Sequence, residues 1–102
     1  MADFLTVAKN GDIAEGESVA IDVGGTLIAV ANVEGSLYAF DDTCTHRQCS
    51  LSEGELEGTT ITCPCHGSQF DVTSGDVLTG PAVEPVVSYP VRIEGDSIQV
   101  EI

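Results

Sequence analysis

Every cysteine and every histidine of the chain falls in one of two short segments, Cys44-Thr45-His46-Arg47-Gln48-Cys49 and Cys63-Pro64-Cys65-His66-Gly67-Ser68, with sixteen residues between His46 and Cys63. Thiolate sulfur and imidazole nitrogen are transition-metal ligands, and cysteines kept only for packing would not segregate beside the only two histidines. The pattern points to a metal centre. Six donors for a site that usually takes four leave the ligand set and the metal to be argued. An all-cysteine 2Fe-2S site of the plant type needs Cys-x4-Cys-x2-Cys; Cys44 and Cys49 begin that pattern, but position 52 is serine and it fails. Tetrahedral zinc takes two Cys and two His, usually as a Cys pair and a His pair, whereas here each segment supplies one of each, so zinc fits less well but stays open. A diiron cluster with two thiolates on one iron and two imidazoles on the other uses one Cys and one His from each segment.

At this point the chain resembles the Rieske iron-sulfur family. Its paired signature, Cys-x-His followed by Cys-x2-His, is matched by Cys44, His46, Cys63 and His66, and the resemblance runs from about Asp41 to Pro85. The resemblance implies one Rieske-type 2Fe-2S cluster held by those four residues. Cys49 and Cys65 stand where Rieske proteins of the respiratory cytochrome type carry a disulfide between the two loops, so a bridge is expected by that likeness; two reduced, buried thiols are the competing reading, since cytoplasmic disulfides are disfavoured. Ser68 matches a family serine that donates a hydrogen bond to the cluster, and Phe70 stands where high-potential relatives have tyrosine, although it equally suits a core aromatic. Gly80-Pro81-Ala82 resembles the family's proline-bearing loop over the cluster; otherwise it is a turn between strands. Gly67 is placed to give backbone freedom beside a ligand. Arg47, next to His46, is the candidate partner-facing charge, against an ordinary solvated side chain.

The ligand types carry a consequence for redox chemistry. Two thiolates and two neutral imidazoles leave the oxidised diiron-disulfide core uncharged, where four thiolates would make it doubly negative, so the mixed set accepts an electron more readily and its potentials span roughly −150 to +300 mV. With the tyrosine hydroxyl missing at Phe70 and a formal charge of −14 opposing an added electron, the potential is expected below that of cytochrome-complex relatives. Imidazole N–H groups predict a pH-dependent potential on the alkaline side.

The elements that must position this centre are short. Segments rich in β-branched residues alternate with Gly, Asp, Asn and Pro, and no stretch keeps a helical apolar stripe for three turns. Strands are expected at Phe4-Val7, Val19-Val23, Leu27-Asn32, Ser36-Phe40, Thr59-Cys63, Gln69-Asp71, Val91-Glu94 and Ser97-Glu101, with hairpin turns at Gly24-Gly25, Glu34-Gly35 and Glu94-Gly95-Asp96. The fold class is all-β. The resemblance makes it a Rieske-type antiparallel β-sandwich: one Rieske domain over 1–102, base sheets from about 1–40 and 86–102 pairing across an inserted, loop-rich cluster-binding subdomain at about 41–85.

Composition narrows the function. A chain of 102 residues with 42% apolar content is one globular domain. Seventeen acidic residues against three basic ones repel phosphate backbones and anionic lipid, which excludes nucleic acid, and any charge-steered partner is basic at its docking surface. The longest apolar run, Leu27 to Ala31, is five residues against the about 20 that a membrane span needs. Met1-Ala2-Asp3-Phe4 lacks the basic and apolar regions of a secretory signal, so a cytoplasmic location is expected; a monomer is expected as well. With both histidines committed to the cluster there is neither a mononuclear iron site nor a base for Cys-His nucleophilic catalysis, so the chain by itself is not an enzyme. The resemblance implies a ferredoxin component of a bacterial ring-hydroxylating dioxygenase system, carrying single electrons from a flavin-dependent, NAD(P)H-dependent ferredoxin reductase to a terminal oxygenase. The Cys49/Cys65 pair and Ser68 depart toward the cytochrome-complex type and leave other partners open: a nitrite reductase, a monooxygenase or an oxidase. Outside electron transfer, a zinc-stabilised binding module and a metal-free structural module remain as alternatives.

Overall fold

In the computed structural model, which describes residues 4–43, 49–65, 67–80, 82 and 84–101, the glycine-punctuated segments form strands and almost nothing else. They are β1 (Phe4–Lys9), β2 (Ser18–Val23), β3 (Thr26–Val33), β4 (Ser36–Asp41), β5 (Glu55–Glu57), β6 (Thr60–Thr62), β7 (Gln69–Asp71), β8 (Val77–Thr79), β9 (Ser88–Tyr89), β10 (Val91–Glu94) and β11 (Ser97–Glu101). One turn of 3-10 helix, Leu51–Glu53, precedes β5. Among the described residues no helix is long and apolar enough to cross a membrane. The hairpin turns fall where glycine permits them: φ is +61° at Gly24, +91° at Gly25, +92° at Gly35 and +59° at Gly95.

Three antiparallel sheets result: an outer sheet in the order β1-β11-β10, a middle sheet β2-β3-β4-β9 and a tip sheet β5-β6-β7-β8. The all-β expectation holds, and all eight expected strands are present. Strands β5, β8 and β9 were not expected. Each has only two or three residues, too few to show an alternation against its surroundings. Chain segments on either side of residues 41–85 meet, since β1 pairs with β11 and Ala39 and Phe40 of β4 pair with Tyr89 and Ser88 of β9.

The apolar run in β3 explains the layering. Ile28, Ala29, Val30 and Ala31 are all fully buried, although successive side chains of a strand point to opposite faces; both faces of the middle sheet are therefore covered. Ile28 and Val30, with Ala39, pack with Ile98 and Val100 of the outer sheet. Ala29 and Ala31, with Phe40, pack on the other side with Leu51, Ile61, Phe70 and Val72. Phe40 and Phe70 are wholly buried there, and each contributes roughly 1.5–3 kcal/mol by leaving water. The second core also contains Cys63 and Ala82, so one of the sequence-marked sulfurs is part of its packing.

Candidate metal centre

The second marked segment is the connection of a hairpin. Strands β6 and β7 pair from Thr60↔Asp71 to Thr62↔Gln69, and the six residues Cys63–Ser68 turn between them. The backbone amide of Cys63 donates to the Ser68 carbonyl at 2.7 Å, and that of Gly67 donates to the Cys63 carbonyl at 3.2 Å. Gly67 has φ +76°, a backbone conformation that a side chain would strain. Cys63 is 2% exposed and is not in a disulfide. It thus offers a shielded thiol at the root of the hairpin.

The first marked segment leaves the end of β4 and returns to the 3-10 turn. Its two ends are joined by an antiparallel bridge, Thr43↔Ser50, and by the Leu51 amide donating to the Asp42 carbonyl at 2.7 Å. Cys44, His46 and Arg47 between them lie outside the described residues, as do His66 and Pro81. Cys49 and Cys65 are bonded to each other, their Cα atoms 6.4 Å apart and sixteen positions apart in sequence, so the two segments are covalently tied. This pairing consumes two of the four cysteines. The donors then left in the chain are Cys44, Cys63 and the two histidines, the set a mixed sulfur and imidazole site requires.

Ser68 is fully buried, and its Oγ accepts the Ala82 amide at 3.0 Å. A hydroxyl that accepts in this way keeps its own proton to donate, so the geometry is compatible with the donor role expected of Ser68. The same bond ties residue 82, next to Pro81, to the hairpin. Phe70 is fully buried among Ala29, Phe40 and Leu51, so its packing role is realised.

Two residues that matter here were not singled out from sequence. Asp42 is 1% exposed, and its carboxylate accepts the Ser50 hydroxyl and, at 2.9 Å, the Ser52 amide. In a chain with seventeen acidic residues nothing marked this one as buried; the only available signal was Ser50-Leu51-Ser52, two hydroxyls flanking an apolar residue. The second is Gly54, whose φ of −83° is ordinary. A Cβ there would overlap the Thr62 carbonyl, so glycine is required by the close approach of the turn to β6, one residue before Cys63.

A cleft beside the hairpin is lined by Glu53, Glu55, Thr62, Cys63 and Pro64 among others, which puts carboxylates at the edge of the site. Two of the three basic residues, Lys9 and Arg92, belong to the outer sheet instead, where the Arg92 guanidinium lies 4.1 Å above the Phe4 ring and donates to Gln99 at 2.7 Å. Tyr89 titrates above the usual phenol value, because burial and, secondarily, the Asp41 carboxylate disfavour the phenolate.

Comparison with known proteins agrees with this geometry. Residues 3–90 match the Rieske 2Fe-2S domain family. The ferredoxin component of the naphthalene 1,2-dioxygenase and salicylate 5-hydroxylase systems of Ralstonia sp. is 42% identical over 100 residues, covering 98% of this chain and 96% of the relative. Among solved structures, a ferredoxin of Sphingomonas yanoikuyae B1 superimposes with a TM-score of 0.93 at 33% identity, covering 98% of this chain and 99% of that one. A chain from the complex of reduced oxygenase and oxidised ferredoxin in carbazole 1,9a-dioxygenase superimposes with a TM-score of 0.89 at 36% identity, covering 94% and 99% respectively. With a family match over most of its length and a relative this similar across nearly all of both chains, the protein belongs to the Rieske 2Fe-2S family.

Proposed function

We propose that the chain is a cytoplasmic one-electron carrier that holds a single Rieske 2Fe-2S cluster through Cys44, His46, Cys63 and His66. Its electrons come from a flavin-dependent, NAD(P)H-dependent ferredoxin reductase and go to a terminal ring-hydroxylating dioxygenase. The observation that carries the reading is the fate of the four cysteines: Cys49 and Cys65 are spent on each other, and Cys63 is kept as a buried free thiol at the root of a hairpin. Residues 41–85 then act as the cluster-holding part of one domain, with 1–40 and 86–102 as its base. The oxygenase partner is supported by the complex of a similar ferredoxin with its oxygenase, and the dioxygenase system by relatives named as its ferredoxin components.

When bound, the cluster supplies reversible storage of one electron. The protein's contribution is to hold two thiolates on one side and two imidazoles on the other, to keep water from the sulfurs with the buried Cys63, Ser68 and Ala82, and to offer a Ser68 hydroxyl proton. One electron per carrier means two deliveries for each dioxygenation, and a small, transient docking interface suits such traffic. The net charge of −14 makes docking salt-sensitive and selects basic partner surfaces. The decisive measurement is electron paramagnetic resonance of the reduced protein together with iron and sulfide content. A mixed histidine/cysteine spectrum that is lost in Cys63→Ala is expected; colourless, zinc-loaded protein would overturn the assignment.

A further inference from the structure

Among the described residues only two polar side chains are buried, Asp42 and Ser68, and they sit at the roots of the two marked loops. Ser68 belongs to the site already described; Asp42 does not. Its carboxylate takes the Ser50 hydroxyl on one oxygen and the Ser52 amide on the other. Its backbone is held at both ends, the amide donating to the Leu27 carbonyl at 3.1 Å and the carbonyl accepting the Leu51 amide at 2.7 Å. The Ser50 and Ser52 hydroxyls are 3.0 Å apart, and Ser18 of β2 donates to the Ser52 carbonyl at 3.1 Å, which fastens the group to the middle sheet. The contacts with Ser50, Leu51 and Ser52 join the residue that follows β4 to the segment that leaves the first loop, and those through Leu27 and Ser18 anchor the group to β3 and β2. Desolvating a carboxylate is costly, and a loop that needed only closing could be closed by the backbone bridge Thr43↔Ser50 already present.

We infer that Asp42 is a positioning residue for the cluster: through Ser50 and Ser52 its carboxylate fixes both ends of the loop that carries Cys44 and His46. The inference rests on the cluster assignment above. Groups that orient metal ligands from behind are worth about 10–100-fold in metal retention when removed.

The test compares wild type, Asp42→Ala, Asp42→Asn, Ser50→Ala and, as a control for general loosening, Ile98→Val in the opposite core. The readings are the reduced-state paramagnetic resonance spectrum, the rate of iron loss to a chelator and the melting temperature of the loaded protein. In Asp42→Ala the g-values are expected to shift and iron to leave about tenfold faster. Asp42→Asn, which keeps an oxygen for the Ser52 amide, restores most of both, while Ile98→Val lowers the melting temperature and leaves the spectrum unchanged. Should Asp42→Ala fail to accumulate, Ser50→Ala carries the comparison with the same expected direction. Wild-type spectra and wild-type iron retention in these variants, or iron loss that only follows melting temperature as in the control, would overturn the inference. A wild-type protein without the mixed-ligand spectrum would instead defeat the cluster assignment itself.

Discussion

The two faces of the middle sheet are covered in different ways. Toward the outer sheet it presents Ile28 and Val30 to Ile98 and Val100, an aliphatic core; toward the tip sheet it presents Ala29 and Ala31, over which Phe40, Phe70 and Leu51 pack around Cys63, with Asp42 and Ser68 buried at the loop roots. One side closes a sandwich, and the other also holds the hydrogen-bonded roots of the two loops. Buried polar groups cost free energy unless they are hydrogen-bonded, and among the described residues they occur on one side only, where specific geometry accompanies cohesion.

The comparison is broken most severely by emptying matched positions in the two cores. Phe70→Ala is expected to lower stability by about 3–5 kcal/mol and Ile98→Ala by about 2–5 kcal/mol in denaturant titrations. Only Phe70→Ala should also accelerate iron loss, because only that core contains Cys63; equal iron retention in the two variants would erase the distinction. Replacing Cys49 and Cys65 together by serine is expected to cost about 2–4 kcal/mol, on the side of the molecule that the bridge ties, and to broaden the paramagnetic resonance lines of the cluster. Gly54→Ala forces the turn away from the Thr62 carbonyl at an expected cost of about 1–3 kcal/mol, read as a lower urea midpoint, and no compensating rotamer exists because the obstacle is backbone.

The smallest effect concerns the other side. The pKa of Tyr89 is raised in the folded state, so the neutral phenol contributes stability that is complete below the unfolded value near 10 and declines as pH rises through the folded value. Tyr89→Phe is therefore expected to flatten the alkaline limb of the stability profile and to leave the neutral region unchanged.

How much of this was legible in the residues depended on whether the signal was local. The two Cys/His segments stood out because rare residue types clustered at short spacing, whereas the choice of four ligands and of Cys49 and Cys65 as a bridged pair came from the resemblance to the Rieske family. The long strands followed from β-branched runs and glycine turns. What escaped was non-local: β5 is Glu55-Leu56-Glu57, two carboxylates around one leucine, and reads as loop until β6 pairs with it. Asp42 finds its partners eight and ten positions later through a closed loop that no periodicity marks. Gly54 is fixed by a carbonyl on another strand, a constraint invisible without the packing.

Strand β3 serves as a party wall between two rooms, and its odd and even positions are furnished for different tenants. A one-residue slip of its pairing would turn Ile28 and Val30 toward the aromatic side and hand the alanines to the aliphatic one, overfilling the first and hollowing the second. Single-residue insertions within β3 should therefore be far less tolerated than insertions of the same size at Gly24-Gly25, where the chain merely reverses.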